Sequence, residues 1–399
     1  MTQANQAAQL FLEDLYIKDQ VAWHRFKTLE EVYSVINENV QKLEQFIDKY
    51  GFVYPSQFGT KAAHYFYVLM VHADFHKELQ KEYLVWLRKN KLEELDMYNL
   101  ERRIKELKNP VNMGPAEFRA WQKQRFGQPV IFAPYFAEHP RMRGFYTTKT
   151  LGNLSFKYAK DKSSVVLAAI RLKHYLFRAQ NKKLLTFSLQ NKDNIIEFSA
   201  EDIGAAFNNY QFELTTHTYL QQYGLVGDAL IVPFADIVQL NIGGVGTDVG
   251  DCFILSMWNK QKTVFAQVHL GVPGFTLGLL HKLIDKLRTK YGVDPADLYV
   301  LWGPGIHKDF YIYTDISRFK DHPLWQGFII PEEQNGKTVY HMDLLGAIRN
   351  SLLNLGIAFD HYRLTPVDTY TNPYLYSHTR SLRTGEPEGR FLEGVVFAD

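Results

Sequence analysis

The chain is organised around Gly250-Asp251-Cys252-Phe253-Ile254-Leu255-Ser256-Met257, which is followed after a polar turn by Phe265-Ala266-Gln267-Val268-His269-Leu270-Gly271. Residues 253–258 and 264–268 are apolar runs of strand length, and the polar residues between them are typical of a connection between two buried strands. The pattern therefore predicts a β-hairpin. At the open end of such a hairpin, Cys252 and His269 would occupy comparable positions.

Cys252 is the only cysteine of the chain, and His217 lies upstream of it. One thiolate and two imidazoles, from Cys252, His217 and His269, make a three-ligand set that suits Zn²⁺ and leaves the fourth tetrahedral position open to water or substrate. A lone cysteine is also commonly a small buried apolar residue. The spacing alone therefore leaves both a zinc site and a packing role open.

A series of short motifs extends from about Arg143 to the end of the chain. In order, they are Gly144-Phe145-Tyr146-Thr147-Thr148-Lys149 with Gly152-Asn153-Leu154, Gly227-Asp228-Ala229-Leu230-Ile231, Asp251-Cys252, Val268-His269-Leu270-Gly271, Leu301-Trp302-Gly303-Pro304-Gly305-Ile306, Asp368-Thr369-Tyr370, Tyr376-Ser377-His378-Thr379-Arg380 and Gly389-Arg390. Taken together in this order, they resemble the laccase-domain (YfiH-like) family, whose members also carry the name polyphenol oxidase.

The resemblance implies a fold, a metal site and a substrate. It implies a YfiH/CNF1-like layered α/β/β/α domain over residues 143–399, with His217, Cys252 and His269 standing where the family has its metal ligands. Family members act on purine nucleosides, and their reported reactions are deamination of adenosine and phosphorolysis of the glycosidic bond. We therefore expect a zinc-dependent purine nucleoside enzyme that deaminates its substrate or cleaves its glycosidic bond by phosphorolysis or hydrolysis.

The chemistry of such a site suggests roles for further residues. Cysteine binds a metal as thiolate, and carboxylates such as Asp251 and Asp228 are candidates to orient the ligands, although Asp228 is equally well explained as a turn residue at a strand end. A deaminase needs a proton shuttle, and the sequence offers no clear glutamate for it, so Asp228 and His378 are the catalytic candidates beside Cys252. By resemblance, the substrate-binding candidates are Asn153, Gly271, Tyr376 and Arg380.

One departure from the family pattern bears on the reaction. Where the family has Gly-Trp-Arg-Gly after its second histidine, this chain has Gly271-Val272-Pro273-Gly274. Arginine is the natural bidentate ligand of phosphate, and neither valine nor proline can replace it. The zinc ligands implied by the resemblance are thus retained, while the missing arginine argues against phosphate as a second substrate and therefore against phosphorolysis.

The N-terminal third of the chain reads as a succession of helices, which predicts an all-helical accessory domain at residues 1–127, a linker or edge strand at 128–142, and an α+β fold class for the whole chain. A capping box at Thr28 begins one helix, and a second helix extends from Lys61 to about Asn90. A charged helix is expected over residues 92–108.

On the second helix, His72 and His76 would share a face near His64 and Asp74, so a metal site there is conceivable, although surface or core histidines explain the pattern better. We expect this domain to serve in oligomerisation, partner binding or covering of the active site.

Within the second domain, residues 184–189 and 194–198 are expected to pair as a hairpin across residues 190–193. Residues 275–290 are expected to form one amphipathic helix.

Composition excludes several classes of function. The chain has 399 residues, 46% of them hydrophobic, with a formal net charge of +2, which offers no electrostatic case for binding nucleic acid or an anionic membrane. A single cysteine excludes a disulfide framework, and neither a signal peptide nor an apolar stretch of membrane-spanning length is evident. A cytoplasmic protein is expected.

Two other functions stay open, and one is improbable. The chain could be a catalytically degenerate family member whose helical domain acts as an interaction module, or an amide hydrolase on a peptidoglycan precursor with Cys252 as its nucleophile. Oxidation of phenols by copper is improbable because none of the 14 histidines forms a His-x-His pair of the kind that multicopper oxidases need.

Overall fold

The computed structural model of the protein describes residues 3–90, 97, 100, 101, 104, 113–133, 135–155, 157–177, 182–189, 193–200 and 221–397. The chain divides into two compact units, Met1–Phe126 and Gly127–Asp399. The first is helical and the second is built mainly of sheets, which is the α+β class expected from the sequence.

The helices of the first unit are α1 (Gln3–Arg25), α2 (Leu29–Tyr50), α3 (Pro55–Phe58), α4 (Thr60–His72), α5 (Lys77–Lys89) and α6 (Pro115–Phe126). The predicted capping box is present, because Thr28 Oγ1 accepts from Glu31 N at 3.3 Å and Glu31 Oε2 accepts from Thr28 N at 3.0 Å. Val32 and Leu43 of α2 are fully buried. The charged helix expected at 92–108 lies largely outside the described residues.

The prediction of one long helix from Lys61 to Asn90 is wrong, because the helix is interrupted between α4 and α5. His72 ends α4 and lies with its Nδ1 2.7 Å from Asp19 Oδ2. His76 precedes α5, and its Nδ1 is 3.6 Å from Glu44 Oε1. Because the helix is interrupted at residues 73–76, the two histidines are held by different carboxylates and do not form the shared helical face that the hypothetical metal site required.

The second unit contains fifteen strands among its described residues: β1 (Val130–Phe132), β2 (Met142–Thr147), β3 (Lys183–Ser188), β4 (Ile195–Glu197), β5 (Gln221–Val226), β6 (Ala229–Pro233), β7 (Ile242–Val249), β8 (Phe253–Asn259), β9 (Val264–Leu270), β10 (Leu298–Trp302), β11 (Ile312–Tyr313), β12 (Ile329–Gln334), β13 (Lys337–Met342), β14 (Tyr362–Leu364) and β15 (Phe391–Phe397). Its helices are α7 (Lys162–Phe177), α8 (Phe234–Gln239), α9 (Val272–Thr276), α10 (Leu279–Tyr291), α11 (Leu344–Asn354) and α12 (His378–Thr384).

The described strands form two six-stranded sheets and one small three-stranded sheet. The first sheet has the order β1-β2-β15-β7-β3-β5, the second β14-β10-β8-β9-β6-β4, and the small sheet β11-β13-β12. A shared core lies between the two large sheets, with Val245 and Val395 of the first against Leu230 and Trp258 of the second. Helix α7 packs on the outer face of the first sheet and α10 against β9 of the second, so the layers run helix, sheet, sheet, helix.

Of the two predicted hairpins, the one formed by residues 253–258 and 264–268 is confirmed. The one formed by residues 184–189 and 194–198 is wrong. Strands β8 and β9 are antiparallel neighbours, with Ile254 opposite His269. Strand β3, by contrast, lies in the first sheet, and β4 lies in the second beside β6. The physical reason is that both segments bury side chains in the core between the two sheets. Leu185 and Phe187 do so from the first sheet, and Phe198, which follows β4, does so from the second.

The segment expected as a linker or edge strand contains the edge strand β1, which pairs antiparallel with β2 in the first sheet. One further helix boundary differs from expectation. The helix expected at 275–290 is divided into α9 and α10 at Gly278, whose positive φ of 73° is incompatible with a continuous helix. Among the described residues, no helix has both the length and the apolar character needed to cross a membrane.

Candidate functional site

Three strands of the second sheet bring Asp228, Cys252 and His269 to one end of that sheet. β6 pairs with β9 so that Ala229 faces Val268, and His269 N donates to the carbonyl of Asp228 at 2.8 Å. Cys252 directly precedes β8. Its Sγ lies so close to Gly271 that a Cβ on that glycine would be 2.7 Å from the sulfur. The adjacency predicted for Cys252 and His269 is therefore present, with Asp228 beside them.

Burial and two neighbouring side chains, Cys252 and Asp228, determine the pKa of His269. Asp228 Oδ1 lies 3.5 Å from His269 Nδ1, and both side chains are buried, whereas Cys252 is partly exposed. Burial by itself lowers the pKa of His269, but the Cys252 thiolate and the Asp228 carboxylate, which both hydrogen-bond the imidazole, raise that pKa to about 9. The imidazole of His269 thus has both Cys252 and Asp228 as neighbours.

Asp251 has a structural task at the site. Its Oδ1 accepts from Thr369 Oγ1 at 2.7 Å, its Oδ2 accepts from Thr379 N at 2.6 Å, and its carbonyl accepts from Ile306 N at 2.8 Å. The Thr379 amide belongs to the first turn of α12, where a carboxylate is stabilised by the unpaired N–H groups. The residue before Cys252 thus joins three separate loops around the thiol.

The proposed proton shuttle His378 is the first residue of α12 and is exposed, with its Nδ1 2.7 Å from Glu388 Oε1. The structure therefore places Asp228, and not His378, in contact with the Cys252–His269 pair.

Arg380 is used within the protein. Its Nε donates to Glu386 Oε1 at 2.8 Å, and its Nη1 and Nη2 donate to the backbone carbonyls of Thr369, Tyr370, Asn372 and Leu375. These bonds fasten α12 to the loop that carries Thr369. The guanidinium is thereby committed to the architecture of the site.

The remaining candidates, Asn153 and Tyr376, meet near Arg390. Asn153 Oδ1 accepts from Arg390 N at 2.9 Å and from Ser155 N at 3.0 Å. The ring of Tyr376 lies against Gly389, where an added Cβ would be 2.5 Å from the ring. Both residues fix the segment that enters β15.

The donor set tests whether a zinc ion fits. Cys252 and His269 supply one sulfur and one nitrogen in mutual contact, and Asp228 lies behind the histidine as metal-bound histidines normally require. His217, the third expected ligand, lies outside the described residues. Within the described part of the chain, no group of three or more His, Cys, Asp or Glu side chains is arranged to hold a metal ion. Of the three expected donors, the two that are described, Cys252 and His269, are of the types that zinc prefers.

Two tyrosines beside the site were not anticipated. Burial and the Cys252 thiolate both raise the pKa of Tyr311, and the same two influences act on Tyr313, whose pKa is raised as well. The available signal was the alternation of tyrosines in Phe310-Tyr311-Ile312-Tyr313, because side chains two apart on a strand share a face.

Comparison with known proteins agrees with this architecture. The family model "Multi-copper polyphenol oxidoreductase laccase" matches residues 150–398, which is more than half of the chain. The "Purine nucleoside phosphorylase YlmD" of Bacillus subtilis (strain 168) is 26% identical over 131 residues, which are 33% of this chain and 47% of that protein. The chain thus matches about half the length of this relative.

Two solved structures are similar in fold. The crystal structure of YlmD from Geobacillus stearothermophilus is 18% identical, with a TM-score of 0.52 over 68% of this chain and 100% of the other. The Bacillus licheniformis hypothetical protein YfiH is 17% identical, with a TM-score of 0.51 over 64% of this chain and 93% of the other. These structures share the fold of the second unit, and from residue 150 to 398 the chain belongs to the multi-copper polyphenol oxidoreductase laccase family.

Proposed function

We propose that this protein is a zinc-dependent enzyme that acts on purine nucleosides, by deamination or by cleavage of the glycosidic bond. The observation that carries the proposal is the contact of Cys252 with His269 at the end of two paired strands, with Asp228 behind the histidine. The substrate class is suggested by the similarity to the purine nucleoside phosphorylase of Bacillus subtilis.

Each residue has a role that follows from its contacts. Cys252, His269 and His217 would hold the ion, which when bound would act as a Lewis acid towards the attacking oxygen or the leaving group. Asp228 faces Nδ1 of His269, so the Nε2 atom of the same ring is the one left for a ligand. Asp251 keeps the loops around the thiol in place, and Asp228 is the buried carboxylate that faces the imidazole of His269.

Water is the nucleophile that we favour over phosphate. The segment after His269 forms α9, in which Val272 and Phe275 are buried, and residues 271–274 contain no cationic side chain. The guanidinium of Arg380 already donates its hydrogen bonds to backbone carbonyls and to Glu386. A dianionic phosphate would need at least one such cation. We therefore propose hydrolytic deamination or hydrolytic cleavage ahead of phosphorolysis.

The test combines metal analysis with a chromatographic assay. Wild type, Cys252→Ala, His269→Asn and Asp228→Asn are compared with adenosine, inosine and methylthioadenosine, with and without phosphate. His281→Asn is the matched control, because His281 is a half-buried histidine of α10 outside the site. We expect near-stoichiometric zinc in wild type and the control, its loss in the first two variants, and a 10- to 100-fold weaker hold on zinc in Asp228→Asn.

A cysteine hydrolase is the second candidate, favoured by one observation. Cys252 contacts His269, and His269 in turn contacts Asp228. A cysteine nucleophile, its base and the acid that orients the base have the same arrangement. Metal content separates the two candidates. Wild-type protein purified without zinc, with a thiol alkylated rapidly by iodoacetamide, would contradict the zinc enzyme and favour the nucleophile. Zinc without turnover of any nucleoside would leave a degenerate fold acting as an interaction module.

A further inference from the structure

A small polar pocket lies between the two large sheets of the second unit. Its volume is about 260 Å³, including space open to solvent, which is below the range of about 300–1,000 Å³ typical of organic ligands. Ala133 and Arg363 are the half-buried members of its described lining, so its mouth lies beside them. Ser256 lines it from the middle of β8, about 13 Å from Cys252 at the usual rise of a strand. The pocket is therefore distinct from the candidate zinc site.

Two polar side chains, one from each sheet, point into this pocket. Glu393 stands two residues before Val395 on β15, and Ser256 stands two residues before Trp258 on β8. Because residues two apart on a strand share a face, both side chains enter the layer that holds the core between the sheets. A Cβ added to Gly303 would overlap Glu393 Oε1, so the carboxyl lies directly against the end of β10.

The oxygen atoms around the pocket are incompletely satisfied. Among the described residues, Glu393 Oε2 has no hydrogen-bond partner, either for a carboxylate oxygen or for a protonated one. Thr365 Oγ1, in the lining of the same pocket, has none either. Ser256 Oγ accepts from Gln267 Nε2 at 2.8 Å, and Gln267 Oε1 is again without a partner in the described part of the chain. Since buried polar atoms are normally paired, we expect an occupant that meets several oxygens at once.

The negative charge of Glu393 is not balanced by a neighbouring side chain of the described residues. Arg363 is the cationic side chain in the described lining, but its Nη1 donates to the carbonyls of Asp360 at 2.6 Å and Tyr362 at 3.2 Å. Its guanidinium also lies over the ring of Phe136, 4.8 Å from the centroid. An isolated buried carboxylate is costly, so Glu393 holds either a proton or a cation. A water molecule could supply hydrogen bonds but not the missing charge.

The donors select the kind of cation. They are oxygens, which favour hard cations over the metals that nitrogen and sulfur bind. Calcium sites use several carboxylates, whereas one carboxylate with neutral hydroxyls balances a single positive charge. We propose that this pocket binds a monovalent cation, K⁺, Na⁺ or ammonium, held by Glu393 Oε2, Thr365 Oγ1 and Ser256 Oγ. The ion would join the two large sheets, because Glu393 belongs to the first and Ser256 to the second.

The test measures the thermal midpoint of the full-length protein in potassium, sodium and ammonium chloride. Tetramethylammonium chloride at equal ionic strength is the reference, because that cation is too large for the pocket. We expect at least one small cation to raise the midpoint by about 2–8 °C. The rise should be larger at pH 8 than at pH 5, because the proton and the ion compete for Glu393. The most effective salt identifies the ion.

Two variants locate the effect. Glu393→Gln keeps the shape of the side chain and removes its charge, and Thr365→Val removes one hydroxyl. The first should respond equally to all four salts, and the second should need about tenfold more of the ion for the same shift. Glu197→Gln is the control, because Glu197 is a partly exposed acid of the same unit outside the pocket. It should respond to the salts as wild type does.

Either of two results would overturn the inference. Equal midpoints of wild type in all four salts would show that the pocket selects no cation and that water fills it. A salt preference that persists unchanged in Glu393→Gln would place the ion elsewhere. If Glu393→Gln does not fold, an unchanged ion requirement in Thr365→Val decides against the pocket in the same way.

Discussion

Gly271 packs directly against the thiol of Cys252. Its backbone has a φ of −94°, which any residue can adopt, so its size and not its flexibility is what matters. Because a Cβ would stand 2.7 Å from Cys252 Sγ, alanine would have to displace the sulfur.

We predict that Gly271→Ala lowers nucleoside turnover by about 100-fold, the cost typical of a catalytic group misplaced by about 1 Å. The assay is kcat/KM together with zinc content. Gly114→Ala is the control, because a Cβ there would meet its nearest neighbour at an ordinary 3.9 Å. Normal turnover in Gly271→Ala would show that the sulfur does not need its present position.

Glu393 illustrates a buried acid that is not part of the site. It lies in β15 between the two large sheets, with its Oε2 lacking a hydrogen-bond partner among the described side chains and its carboxyl against Gly303. Burial raises its pKa well above the usual range for glutamate, against a smaller opposing effect of the Gly303 amide. The folded protein therefore keeps a proton on Glu393 that the unfolded chain releases.

The sign of the resulting pH effect follows from that difference. Above the ordinary pKa of glutamate the folded state binds more protons than the unfolded state, so the free energy of unfolding falls as pH rises towards the folded-state pKa. Each pH unit in that window costs about 1.4 kcal/mol. We predict that Glu393→Gln removes this loss, so that denaturant unfolding at pH 5 and pH 8 shows a smaller decline than in wild type. An equal decline in both proteins would contradict the buried acid.

At the scale of elements, a strand and a helix of the second unit are joined by one carboxylate. Glu197 at the end of β4 accepts from Lys290 at 2.5 Å and from Lys286 and Tyr291 at 2.9 Å, all on α10. The hydrogen bond from Lys290 has the largest single effect on the pKa of Glu197, and the contacts together lower that pKa to about 2.

The expected contribution of this cluster is modest because its side chains are partly exposed. We predict that Glu197→Gln lowers the free energy of unfolding by about 1 kcal/mol or less at pH 7. Since the pKa is depressed in the folded state, the stabilisation is complete above about pH 4.5 and is lost as pH falls towards 2. Urea unfolding of both proteins at pH 7 and pH 3 measures it. A difference that grows on acidification would refute the assignment.

At the scale of the whole molecule, each unit has a core of its own. Leu43 of α2 is completely buried in the first unit, and Leu230 of β6 is completely buried in the second. Two compact units with separate cores are the condition for separate unfolding transitions.

We predict that Leu43→Ala and Leu230→Ala each destabilise one unit by about 2–5 kcal/mol and leave the other transition in place. Differential scanning calorimetry of the two variants and wild type distinguishes the transitions, and zinc binding should follow only the one that Leu230→Ala moves. A single transition shifted equally by both substitutions would show that the units unfold as one.

The amino-acid sequence determined the features that depend on local chemistry. The apolar runs around Cys252 and His269 specified a hairpin because two short buried strands joined by a polar turn have few alternatives. The capping box at Thr28 specified where a helix begins, and the positions of Cys252 and His269 at the open end of the hairpin predicted that the structure would bring them together.

The tertiary structure alone decided which strands are partners and which polar groups reach the site. Residues 184–189 and 195–197 read as strands, but only the core between the sheets places them in different ones. Asp228 touches His269 through the pairing of β6 with β9, and the turn that precedes Tyr311 is anchored on the carbonyl of Asp251. Arg380 has the chemistry of a ligand-binding residue, yet the carbonyls of the loop just before α12 take up its donors. Contacts between separate segments, such as that of Asp228 with His269, depend on how those segments pack, which no local pattern encodes.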